Sequence, residues 1–121
     1  MTKIMVIDDQ PDTVELTKAV LEMNNFEVIA HTNPKEALED LKKGTRPDLI
    51  ILDMRMPGLS GPDLCKLIRE DREINDLKIV YFTASSDADH NLLDQYNVLG
   101  FILKPFDNEK LIDEINRYIN I

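Results

Sequence analysis

The sequence has a single cysteine, Cys65, so no disulfide closes within the chain, and no cluster of cysteine and histidine has the spacing of a zinc site. Cys65 falls in a stretch with helical spacing, where a free thiol reads as a small packing residue. Basic residues are also few. Fourteen of them against 23 acidic residues leave a net charge of −9, which repels phosphate backbones and anionic lipid surfaces and argues against direct nucleic-acid or membrane binding. No apolar run approaches the roughly 18 to 20 residues of a membrane helix, and the first residues lack the form of a signal peptide. These absences point to the cytoplasm. Repeats, linkers and low-complexity stretches are missing too, so residues 1–121 are expected to form one domain, with no effector domain beside it.

What remains has the makings of an ordinary globular core, with 43% hydrophobic and 31% charged residues. Five short runs rich in isoleucine and valine read as strands: Lys3 to Ile7, Glu27 to His31, Leu49 to Leu52, Lys78 to Phe82 and Gly100 to Leu103. The third and fourth are continuous rather than alternating, as expected of parallel strands covered on both faces.

Helical segments lie between and after them. Pro11 opens the first, with Val14, Thr17, Val20 and Leu21 inward; Asn33 caps the second, with Ala37, Leu38 and Leu41 inward and Gly44 at its end. Ser60 caps the third, whose inner face is read as Leu64, Leu67 and Ile68. The fourth has only a weak stripe of Leu92, Leu93 and Tyr96. The fifth follows Asp107 with Leu111, Ile112, Ile115, Tyr118 and Ile119 and runs to the end of the chain. Regular strand and helix alternation predicts an α/β fold, a doubly wound five-stranded parallel sheet of flavodoxin-like (βα)5 form, and if the strand order is 2-1-3-4-5 the ligand crevice lies between the first and third strands.

The chemistry lies where the apolar strands stop. The first run ends at Asp8 and Asp9, the third at Asp53, the fourth at Thr83 and the fifth at Lys104. Parallel strands bring these ends to one edge, and open α/β sheets bind ligands beside that edge where the strand order reverses. An Asp-Asp pair alone says little, since 14 aspartates yield about one or two such pairs by chance. Three carboxylates, a hydroxyl and an ammonium arriving at the same edge carry more weight. Carboxylates packed so closely need protons or a cation among them. Magnesium suits oxygen ligands and is commonly held by one or two carboxylates together with phosphate oxygens, with manganese as the substitute. A third carboxylate is then free to act as nucleophile toward phosphorus, with Lys104 neutralising the transferring oxygens.

Val6-Ile7-Asp8-Asp9, Asp53-Met54-Arg55-Met56-Pro57-Gly58-Leu59-Ser60-Gly61, Thr83-Ala84 and Lys104-Pro105-Phe106 together resemble the response-regulator receiver domain of two-component signalling, in a single-domain form like the chemotaxis regulators. The resemblance spans essentially the whole chain. It implies that Asp53 is the phosphoacceptor, and that a metal is bound by Asp9, Asp53 and the backbone carbonyl of Arg55, with Asp8 acting directly or through water. It also implies that Lys104 pairs with the phosphoryl group and that the Lys104-Pro105 bond is cis. Thr83 and Phe101 match switch positions that would remodel the face of the fourth helix, fifth strand and fifth helix. Phe101 is equally readable as a permanently buried core ring, and where many relatives have tyrosine it has no hydroxyl. The sign of any effect of Arg55 on phosphoryl lifetime stays open. The implied partners are a sensor histidine kinase or histidine phosphotransfer domain and a downstream protein.

A phosphatase of the haloacid dehalogenase type would need a second aspartate two residues after the nucleophile, where Arg55 stands. A flavodoxin-like cofactor binder would need a phosphate-cradling loop instead of Asp8-Asp9-Gln10-Pro11-Asp12. The expected protein is thus a phosphorylation switch with slow self-dephosphorylation rather than a turnover enzyme. A degenerate receiver that only binds proteins fits less well with five functional side chains retained. Its output could be regulation of a partner, phosphate relay or drainage of a kinase, in a standalone protein or a piece of a longer regulator.

Overall fold

The computed structural model describes residues 1–121, the side chain of Ser85 excepted. Five strands, β1 (Lys3–Ile7), β2 (Glu27–His31), β3 (Leu49–Asp53), β4 (Ile79–Ala84) and β5 (Phe101–Lys104), form one parallel sheet in the order β2-β1-β3-β4-β5. Helices α1 (Pro11–Met23), α2 (Pro34–Lys42), α3 (Gly61–Glu70), α4 (Asn91–Gln95) and α5 (Asn108–Ile119) complete the doubly wound α/β fold expected from the sequence.

Successive strand side chains point to opposite faces, and the two cores follow that alternation. Met5, Ile7, Ile50, Leu52 and Tyr81 pack with Ala37, Leu41, Leu64, Cys65 and Ile68 of α2 and α3. Ile4, Val6, Ile51, Val80, Phe82 and Ile102 pack with Val20, Leu21, Leu111, Ile115 and Tyr118 of α1 and α5. All five residues of β3 are buried, which explains why its run has no polar alternation before Asp53.

Local signals set the helix starts. Pro11 begins α1, and the Asn33 side chain accepts from the Lys35 N–H at 2.9 Å. Ser60 and Asp63 form a reciprocal capping box on α3, and Asp107 accepts from the Glu109 and Lys110 N–H groups on α5.

Three sequence expectations need correction. Leu67 is not on the inner face of α3 but 39% exposed, and Cys65 takes that place. With about 100° of turn per residue, Gly61, Leu64, Cys65 and Ile68 share one stripe and Leu67 falls off its side. The strands β3, β4 and β5 extend past their apolar runs to Asp53, Ala84 and Lys104, because the ladder continues through Asp53 beside Phe82 and Ala84 beside Lys104. Finally, α5 stops at Ile119, where Asn120 caps it. The weak fourth helix is only five residues long and has no buried residue.

Candidate functional site

At the carboxyl edge of the sheet, β1 and β3 lie side by side, and β2 returns on the far side of β1. This is the point of strand-order reversal, and it brings together Asp8, Asp9 and Asp53 with carboxylate oxygens within 4.8 Å of one another. Asp8 is fully buried; it accepts from Lys104 Nζ at 2.6 Å and from the Gln10 N–H at 2.9 Å. Asp53 lies 3.4 Å from the same ammonium and accepts from the Arg55 N–H at 3.4 Å. Lys104 therefore bridges two of the three carboxylates.

Lys104 also stands over an aromatic ring. Its ammonium stands 4.9 Å from the centroid of Phe82, which packs against Phe106 on the other side of the Lys104–Pro105 bond. That bond is cis.

Electrostatics sets the demand for a cation. Burial and the neighbouring Asp8 charge push the Asp53 carboxyl up to about 6, against the opposing pull of Lys104. One ammonium does not balance three carboxylates at neutral pH. A set of three hard oxygen donors this close together fits a small divalent cation such as magnesium.

A glycine fixes the loop that carries Asp53 to α3. A Cβ on Gly61 would lie 2.5 Å from the Asp53 carbonyl oxygen and 2.9 Å from Met54 Cα, and the Gly61 N–H donates to the Met54 carbonyl at 2.9 Å. The capped start of α3 thus sits directly on the backbone of Asp53. No side chain fits there.

Thr83 is buried on the next strand end, and among the described residues its hydroxyl makes no hydrogen bond to the three carboxylates. Phe101 is not in the cluster. It opens β5, is half-buried, stacks on Tyr81 at 5.9 Å and meets the His90 ring edge-on at 5.9 Å. Tyr81 precedes Thr83 by two residues on the same strand, which places the ring and the hydroxyl on one side of β4. Cys65 lies in the core away from this edge, its thiol pushed up to about 11 by burial, as suits a packing residue.

Two features escaped the sequence reading. Arg55 makes an ion pair with Asp87, beyond the end of β4. Arg69 donates to the carbonyls of Tyr96, Asn75, Leu77 and Asn97 at 2.7 to 3.1 Å and so ties the exit of α4 to α3.

A family model described as the response regulator receiver domain matches residues 4–116. The chain belongs to this family. Among its relatives, the receiver is 33% identical to the nisin biosynthesis regulatory protein NisR of Lactococcus lactis subsp. lactis, over 97% of this chain and 50% of NisR. It is 29% identical to the polar-differentiation response regulator DivK of Brucella anthropi, over 96% of this chain and 94% of DivK. The receiver thus spans about half of one relative and nearly all of the other. Among solved structures, the chemotaxis protein CheY4 of Vibrio cholerae superposes with a TM-score of 0.89 at 25% identity, covering 98% of each chain. No helix among the described residues is long and apolar enough to cross a membrane.

Proposed function

We propose that this receiver is a phosphorylation-dependent switch in which Asp53 accepts a phosphoryl group from a phosphohistidine of a sensor kinase or histidine phosphotransfer domain, or from a small phosphodonor. The observation that carries the reading is the clustering of Asp8, Asp9 and Asp53 within 4.8 Å, with Lys104 3.4 Å from Asp53.

Asp8, Asp9, Asp53 and the Arg55 backbone carbonyl would hold magnesium or manganese. Bound there, the cation supplies charge neutralisation on the transferring oxygens. An Asp53 carboxylate oxygen attacks phosphorus, the new O–P bond forms as the N–P bond of phosphohistidine breaks, and the electron pair goes to the imidazole nitrogen. Lys104 steadies the phosphoryl oxygens from the β5 side. Water can later cleave the same O–P bond, which makes the modification self-limiting. Transmission would run through Thr83 and the Phe101 ring to the surface of α4, β5 and α5, where a downstream protein reads it. The net charge of −9 argues against direct nucleic-acid binding by these residues.

Acetyl phosphate with magnesium is expected to add one phosphoryl mass to the wild type and none to Asp53→Asn, read by intact-mass spectrometry. Equal labelling of the two proteins would show that the acceptor is another residue.

A further inference from the structure

The Arg55 and Asp87 side chains join the loop after β3 to the short helical turn Ser85–Asp87 after β4, the two strands that carry Asp53 and Thr83. Their environments differ. The Arg55 side chain is 79% exposed and the Asp87 side chain 17%, so the carboxylate is seated in the fold and the guanidinium extends to it from outside. Arg55 also begins at the acceptor, since its own N–H donates to the Asp53 carboxylate. A long exposed cation rooted beside Asp53 therefore spends its charge on Asp87, 32 residues away in sequence.

Charge counting gives this arrangement a consequence. With three ionised carboxylates, Lys104 and one divalent cation, the cluster is neutral. Converting the Asp53 carboxylate to an acyl phosphate replaces one negative charge by about two, leaving roughly one unmatched. Lys104 is already shared between Asp8 and Asp53. Arg55 is rooted close enough to supply the missing positive charge, and its planar fork suits phosphoryl oxygens.

We infer that Arg55 is a second phosphoryl-binding cation, parked on Asp87 while Asp53 is unmodified and exchanged onto the phosphoryl group once Asp53 is modified. Asp87 is then a positioning residue that competes for the guanidinium and shortens the life of the acyl phosphate. This rests on Asp53 being the phosphoacceptor. Loss of the group forms a bond from water oxygen to phosphorus, breaks the Asp53 O–P bond, returns the electron pair to the carboxylate and leaves the proton on inorganic phosphate. Pairing with Arg55 stabilises the modified state against that loss.

The test follows label loss by intact mass after acetyl phosphate is removed. Arg55→Ala, which keeps the backbone carbonyl, is expected to shorten the lifetime about two- to fivefold, the scale of an exposed ion pair, and Asp87→Ala to lengthen it by a similar factor. The double variant should match Arg55→Ala alone, and Asp87→Glu should behave as wild type. A second readout needs no turnover: amide exchange at residues 85–90 should speed up in unmodified Arg55→Ala, and in wild type on adding beryllofluoride with magnesium. In Arg55→Ala, the increase on adding beryllofluoride should be clearly smaller than in wild type, since only the share that comes from releasing Asp87 is lost. An Asp87→Ala lifetime equal to or below wild type, or additive effects in the double variant, overturns the partner exchange while the acceptor assignment stands. Failure of the wild type to label at all overturns both.

Discussion

Lys104 and Asp8 are 96 residues apart in sequence and 2.6 Å apart in space. Their contact closes the sheet edge from β5 across to β1, and it leaves a fully buried carboxylate with a single ammonium as its ionic partner among the described residues. The pair therefore belongs to the fold as well as to the site.

Lys104→Ala is accordingly expected to lower stability in the absence of metal by about 2 to 3 kcal/mol, because Asp8 would remain buried without its counter-charge. Urea unfolding of the metal-free protein would show this as a lower midpoint at unchanged slope. A midpoint equal to wild type would mean that the buried Asp8 carboxylate is rehydrated at little cost.

Asp53 makes the opposite contribution. Its carboxyl lies at about 6 in the fold, above the roughly 4 of an unfolded chain. Between those values the folded state binds the proton and the unfolded state does not, so this residue's effect on stability becomes more unfavourable as pH rises from about 4 to about 6. Asp53→Asn should then stabilise the metal-free protein above pH 7 by on the order of 2 kcal/mol and change little at pH 4. Thermal melts at both pH values would decide it, and an equal gain at both would place the cause elsewhere than in the carboxylate charge.

Gly61 tests how tightly the loop after Asp53 is built. Gly61→Ala places a methyl against backbone at 2.5 and 2.9 Å, and backbone moves less readily than a side-chain tip. A loss of about 2 kcal/mol or more is expected, together with weaker magnesium binding by calorimetry as the Asp53 backbone shifts. Ser60→Ala, which removes a cap but adds no bulk, should cost about 1 kcal/mol and leave magnesium affinity near wild type.

Arg69 is expected to matter more than a surface arginine. Four backbone carbonyls accept from its guanidinium, and burial lowers its pKa against the opposing pull of nearby groups including Asp76. Arg69→Lys should recover little of the stability lost in Arg69→Ala, because one ammonium cannot span acceptors placed for a planar fork. Denaturation midpoints of the two variants give the comparison, with a loss of about 2 to 3 kcal/mol expected for each.

The reach of the sequence follows from which interactions leave a local mark. Strand ends were readable because burial on both faces gives runs such as Leu49 to Leu52 that break off sharply at Asp53. Caps at Asn33 and Ser60 were readable because each acts within three residues. The inner face of α3 was misread at Leu67, since hydrophobicity alone ranks leucine above Cys65 and only the angle around the helix separates them. Arg69 left no mark at all: its acceptors are main-chain atoms as far as 28 residues away, and every residue type carries a carbonyl. The Arg55–Asp87 pair was hidden for a similar reason, because two opposite charges 32 residues apart announce nothing until the strand order is known.

The brevity of α4 sets an uneven tolerance to change across the surface. Asn91–Gln95 has no fully buried residue, and only its Leu92 and Leu93 pack against the core, so replacing Asn91, Asp94 or Gln95 removes few packed atoms, whereas one substitution in β3 disturbs both layers at once. A saturation library should therefore recover folded variants freely at Asn91, Asp94 and Gln95 and hardly any along β3. The surface around those three positions is open to redesign with the sheet left as it is.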